Sequence, residues 1–168
     1  NVSIHDLSIF SDCKNGDGIN IRSGCHHCEI YNITGDTSDD TIACSALGRS
    51  VKRVYPDGNY IYPMEPTVNL DPTSNMDIFE INIHDISTIG NHHGVILLTA
   101  YDNEVYNISI SDFVEPENAG RNRSSILYLY TGYGDPSLSN KIHNVHIRNI
   151  VSSTARYVLQ SNMKCEDI

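Results

Sequence analysis

The sequence predicts an all-β chain: a right-handed parallel β-helix, a solenoid of about five coils, with a long loop insertion near residues 45–77. Three observations predict it. A six-residue pattern recurs, strand-like alternation accompanies each copy, and helix signals are almost absent. The pattern is apolar, any, apolar, any, Asn or Asp, apolar. It reads VSIHDL from Val2, CEIYNI from Cys28, INIHDI from Ile81, ISISDF from Ile108 and VHIRNI from Val145.

The anchors Asp6, Asn32, Asp85, Asp112 and Asn149 advance by 26, 53, 27 and 37 residues. A step in the mid-twenties is one coil. The longest step is one coil plus an insertion of about a coil's length, and the last is one coil with a longer loop. Each copy alternates with period two, the mark of a strand with one buried face. After a turn rich in Gly, Asn, Asp and Ser, each is followed by a second short apolar run. These runs are Gly18–Ile21, Thr41–Cys44, Val95–Leu98, Ile126–Leu129 and Tyr157–Leu159. A β-sandwich of short strands competes with this reading, but it leaves the Asn/Asp column without a reason.

Residues 1–168 are expected to form a single domain, part of a longer β-helix. No amphipathic helix covers the strand edges near Asn1 or Ile168. Flanking coils, or self-association through the open ends, would cover them. The insertion is rich in turn chemistry, with Tyr55-Pro56-Asp57-Gly58, Tyr62-Pro63 and Asp71-Pro72. It leaves the coil beside a pair of acids. It is therefore expected to wall a groove, bringing Arg49, Lys52, Arg53, Tyr60 and Tyr62 to a ligand; the bland alternative is a solvated decoration. A second long loop runs from Val114 to Ser124.

Composition narrows the function classes. A formal charge of −10 argues against gripping nucleic acid, which needs clustered Lys and Arg. No apolar run approaches ~18 residues, so no membrane span is expected. Five cysteines are too few for a disulfide scaffold at this length. Cys25-His26-His27-Cys28 has the spacing of a zinc half-site but lacks a second Cys pair, so turn or core cysteines are expected. His5, His26, His27, His84, His143 and His146 are read as outward sheet residues.

The acids carry the chemistry. Aligning the second strands sets Asp17-Gly18-Ile19 over Asp40-Thr41-Ile42 and that over His93-Gly94-Val95. Equivalent positions of neighbouring strands stand about 4.8 Å apart. Asp17, Asp40 and His93 then share a column, with Asp39 beside Asp40. Carboxylates this close cannot all ionise freely, and a protonated acid beside ionised bases is the equipment for glycoside cleavage. Two other readings stay open. One is an Asp/Asn turn ladder. The other is calcium held by Asp17, Asp36, Asp39 and Asp40.

Asn15-Gly16-Asp17-Gly18-Ile19 resembles the Asn-Thr-Asp-Gly-Ile motif of the polygalacturonases, glycoside hydrolase family 28, within the pectin-lyase-like β-helix fold. Asp39-Asp40-Thr41-Ile42-Ala43 resembles that family's Asp-Asp-Cys-Ile-Ala, and His92-His93-Gly94 its Gly-His-Gly. The resemblance implies an inverting hydrolase. Asp39 would be the general acid, Asp17 and Asp40 would activate water, and His93 would support the site. Asn15, His92, Tyr128 and Tyr130 would join the insertion's residues in contacting substrate. Two departures stand out. Gly16 replaces the threonine, and the Arg-Ile-Lys that binds a substrate carboxylate has no copy in Ser125–Thr131. Losing both cations points to a neutral or differently charged glycan, or a uronate held by Arg49, Lys52 or Arg53.

The expectation is thus a secreted or cell-surface polysaccharide hydrolase that needs no cofactor. The alternatives are a calcium-dependent polysaccharide lyase, with Lys14 the nearest base, and a non-catalytic glycan-binding or structural β-helix of the surface or phage-spike type.

Overall fold

The computed structural model describes residues 1–47, 52–54, 61–63, 75–99, 103–117, 122–131, 141–163 and 168; for 52–54 and 61–63 it describes the backbone alone. The described residues are all-β. In chain order the first strands are β1 (Val2–Ser11), β2 (Ile19–Arg22), β3 (His26–Thr37), β4 (Ile42–Ala46), β5 (Lys52–Val54) and β6 (Ile61–Pro63). They continue as β7 (Ile78–Gly90), β8 (His93–Thr99), β9 (Val105–Val114), β10 (Ser125–Thr131), β11 (Ile142–Val151) and β12 (Tyr157–Ser161). Two parallel sheets result, ordered β1-β3-β7-β9-β11 and β2-β4-β8-β10-β12, so the chain alternates between them. β5 and β6 form a separate antiparallel pair. Among the described residues no helix is long and apolar enough to cross a membrane.

The repeat is the ladder register. Val2 pairs with Cys28, Cys28 with Ile81, Ile81 with Ile108 and Ile108 with Val145, the first residues of the five copies. In the other sheet Ile19 pairs with Ile42, Ile42 with Val95, Val95 with Leu127 and Leu127 with Leu159.

The Asn/Asp column has a backbone cause. Asp6, Asn32, Asp85, Asp112 and Asn149 all have φ between 52° and 56°. Among residues with a Cβ, Asn and Asp enter this left-handed region most readily. Strict alternation would turn the sixth residue of each copy outward. The left-handed residue bends the strand, so Ile33, Ile86 and Phe113 come back inside beside Ile30, Ile83 and Ile110, all at most 1 % exposed. The side chains help hold the column: Asn32 donates to Asp6, and Asn149 Nδ2 donates to Asp112 Oδ1 at 2.9 Å. A second left-handed column, His27, Glu80, Asn107 and Asn144, had no counterpart in the sequence pattern.

Four histidines of the first sheet, His5, His26, His84 and His143, join outward ring stacks, while His27 meets Phe79 edge-on. His26, Phe79, Tyr106 and His143 stack with centroids 4.9, 5.1 and 5.2 Å apart, at the strand spacing. His5, Tyr31 and His84 do the same at 4.8 and 5.1 Å. Stacking occupies the ring faces, and the ring nitrogens at the edges meet carboxylates: His5 Nδ1 with Asp6, His84 with Asp85 and Glu29, and His143 Nε2 with Glu104. Cys28 and Cys44 belong to the core, and Cys25 packs against it. Burial pushes the Cys44 thiol up to about 12. Among the described residues no metal-ligating group forms at Cys25–Cys28.

The core is deepest along β3, β7 and β9. It thins at the outer strands, where Phe10 is 75 % and Val151 59 % exposed. Gly35 shows how tightly β1 and β3 approach. Its φ is +136°, and a Cβ there would lie 1.8 Å from the Ile9 carbonyl oxygen. Gly35→Ala is expected to destabilise the protein by about 3 kcal/mol or more. Urea denaturation measures this; an unchanged midpoint would contradict the close approach.

Candidate active site

The site lies where the chain enters the strands of the second sheet. Ile19, Ile42 and Val95 are paired, and Asp17-Gly18, Asp40-Thr41 and His93-Gly94 precede them. Backbone bonds carry the ladder through these residues. Gly18 N donates to Asp40 O, Ile19 N to Thr41 O and Thr41 N to His93 O, each at 2.9 Å. Ser125, which pairs with His93, extends the column.

Side chains meet as well as backbones. Asp17, Asp39 and Asp40 each bring a carboxylate oxygen within 4.8 Å of the others. Asp40, His92 and His93 form a second such group. The His93 amide donates to Asp40 Oδ1 at 3.2 Å, and His93 Nδ1 shares a 2.8 Å hydrogen bond with Ser125 Oγ. Asn20 Nδ2 donates to Asp17 Oδ2 at 2.7 Å. His92 Nδ1 stands 3.1 Å from Asp39 Oδ1.

Depth separates the roles of these groups. Asp40 is 9 % exposed. Burial, then the charges of Asp39 and Asp17, push its carboxyl up to about 7 against the pull of the His93 amide and Arg123. Asp17 is raised by burial and by Asp39. Burial, with His92 and Arg123 adding to it, pushes the His93 imidazole down to about 4. His93 is therefore neutral at pH 7, a hydrogen-bonding group and not a cation. Asp39 and His92 face an open depression that Lys14, Asn15, Ser38 and Asn91 also line.

Sequence reasoning missed Arg123, which lies fully buried behind the acids. Its Nε donates to Glu115 Oε1 at 3.0 Å, and its Nη1 to the His93 carbonyl at 2.6 Å and Thr41 Oγ1 at 3.1 Å. Nη2 donates to Thr88 Oγ1 at 3.3 Å. Glu115 also accepts from Ser152 Oγ, and from the Ala155 amide at 3.1 Å. Within the long loop from Val114 to Ser124, Glu115 and Arg123 turn inward. No spacing rule flags two opposite charges in a polar loop as a buried pair.

The expected substrate contacts divide. Asn15 and His92 border the depression with Asp39. The Tyr128 ring lies 4.7 Å from that of His93, and Tyr130 lies one contact further, 5.2 Å from Tyr128. Lys52, Arg53 and Tyr62 lie on the β5–β6 pair, where Arg53 pairs with Tyr62; their side chains lie outside the described residues. Arg49 and Tyr60 lie outside them altogether. Gly16 has a packing cause: a Cβ there would sit 2.0 Å from Ser11 Oγ and 2.8 Å from the Cys13 carbonyl. The threonine of the resembled motif has no room.

No family model, curated protein or solved structure matches the chain.

Proposed function

We propose that the two sheets are faces of one right-handed parallel β-helix of about five coils, and that the acids at its strand entrances hydrolyse a glycosidic bond in a polysaccharide or oligosaccharide. Supporting the fold are the matched strand orders of the two sheets, the alternation of the chain between them, and the one core cluster drawn from both. Supporting the activity is one observation above all: three carboxyls with oxygens within 4.8 Å, one of them held protonated up to about pH 7.

The roles follow from which group keeps the proton. The resemblance implies Asp39 as the acid; burial argues for Asp40. Its Oδ1 accepts from the His93 amide, so its proton sits on Oδ2. Asp17 and Asp39 then hold the attacking water. Inverting pairs usually stand about 6.5–9.5 Å apart across that water. The resemblance implies inversion, whereas acids this close stand nearer the ~5–5.5 Å of retaining pairs, and the anomer first released distinguishes the two outcomes. Arg123 is fully buried and cannot replace the missing substrate-binding cations. A neutral glycan is therefore the first expectation, with a uronate held by Arg49, Lys52 or Arg53 the other. An extracellular glycan fits a secreted or cell-surface protein.

A calcium-dependent lyase is the second reading, favoured by Lys14 on the same depression as Asp39. Digestion of a glycan panel separates the readings. Hydrolysis releases reducing ends without the absorbance of an unsaturated product, and Asp39→Asn lowers that release by about 100-fold or more. Calcium-dependent absorbance would replace hydrolysis by elimination. Binding without turnover, unchanged by Asp39→Asn, would leave a glycan-binding or structural β-helix.

A further inference from the structure

One constellation is only partly used by the acids. We propose that Asp40, His92 and His93 bind a late first-row divalent cation, zinc being the reference ion, and that occupancy switches off the acid–base chemistry. The binding stands by itself; the switching rests on the hydrolase reading.

Consecutive strand residues point to opposite faces. A bend at Asn91-His92, just ahead of β8, overrides this and brings the two imidazoles to a centroid separation of 5.6 Å. Both converge on Asp40, with ligand atoms of all three within 4.8 Å of one another. Bonds of about 2.0–2.2 Å to zinc require a further closure of the ligands. The His92 side chain is 60 % exposed and has the freedom to make it.

The surroundings match what ligating histidines need. Such a histidine engages an outer oxygen with its other ring nitrogen, which fixes tautomer and orientation. His93 Nδ1 is engaged by Ser125 Oγ at 2.8 Å and His92 Nδ1 by Asp39 Oδ1 at 3.1 Å. That leaves Nε2 of each as the ligating nitrogen. A set of two imidazoles and one carboxylate selects zinc, cobalt, nickel or copper over calcium and magnesium, which take oxygens. Ligated Asp40 can neither keep a proton nor receive one, so metal binding and acid catalysis exclude each other.

Calorimetric titration of the metal-free chain with zinc chloride tests the binding, and cobalt absorption reads the ligand geometry. The expected result is one zinc per chain and a tetrahedral cobalt spectrum. His92→Ala changes an exposed side chain and should keep the fold; it is expected to weaken zinc on the order of 100-fold. Asp17→Asn, which removes a charged neighbour of Asp40 but no proposed ligand, should weaken zinc far less than His92→Ala. No zinc binding, equal binding by His92→Ala, or loss on Asp17→Asn with retention in His92→Ala would each overturn the site. Metal-free glycan digestion keeps the two ideas apart. Zinc binding without any hydrolysis sinks the hydrolase alone, and hydrolysis that bound zinc leaves untouched sinks the switch.

Discussion

Arg123→Ala is expected to destabilise the protein by about 3–5 kcal/mol, the cost of leaving one member of a buried ion pair alone. Arg123 and Glu115 have no side-chain exposure. The guanidinium joins segments far apart in sequence: the Thr41 hydroxyl, the Thr88 hydroxyl, the His93 carbonyl and the Glu115 carboxylate. It also lies 5.7 Å over the Phe113 ring. Alanine leaves the Glu115 carboxylate charged in the interior without its guanidinium partner, held by Ser152 and the Ala155 amide, and it removes one of the two donors to the His93 carbonyl, leaving the Thr41 amide. The double change Arg123→Met with Glu115→Leu is expected to recover much of the loss, because it removes both charges and keeps the volume. Urea denaturation of the two variants beside the wild type measures this. A single alanine variant as stable as the wild type would show that the pair does not organise the interior.

Asp40→Asn is expected to lower turnover of natural glycans by about 100- to 10,000-fold, the usual weight of a positioned general acid. Aryl glycosides with good leaving groups need little protonation, so the variant should keep much of its activity on them. Asp39→Asn should lose both, because the water would lose its base. The reverse pattern would return the acid role to Asp39, as the family resemblance implies. The pH profile carries the same information. An acid must be protonated to act, so wild-type kcat/KM is expected to fall as pH rises through about 7. Asp39 is the larger of the two charges raising Asp40, so Asp39→Asn should move whatever residual limb remains to lower pH.

Asp40 and His93 also shape stability. Asp40 has a folded pKa of about 7, above the 3.8 of an unfolded aspartate. It therefore contributes stability below about 3.8 that is lost as pH rises through about 7. His93 has a folded value of about 4, below 6.5, so its contribution is present above 6.5 and lost as pH falls through about 4. The slopes oppose each other between those limits. Above them, at about pH 8, only the Asp40 loss remains, and Asp40→Asn should be the more stable protein there.

Much of this molecule is legible in local chemistry. Alternation with period two marks one buried face, and Asn or Asp at the fifth position marks the left-handed corner that turns the next residue back inside. Because these signals recur, they also set the register, which brings Asp17, Asp40 and His93 into one column. The glycine at position 16 was visible as a departure, but the cause was not: the atoms it avoids belong to Ser11, Cys13 and Ser38.

The amino-acid sequence by itself determined the two parallel ladders, the column of anchors and the line of acids, because short-range sterics and periodicity act through neighbours along the chain. Only the tertiary structure decided that Asp40 is buried with its carboxyl raised to about 7, that His92 and His93 turn to one side, and that Arg123 lies beneath them. Desolvation and charge pairing depend on everything packed around a group. Here those surroundings come from several strands and one loop, which no single stretch of sequence contains.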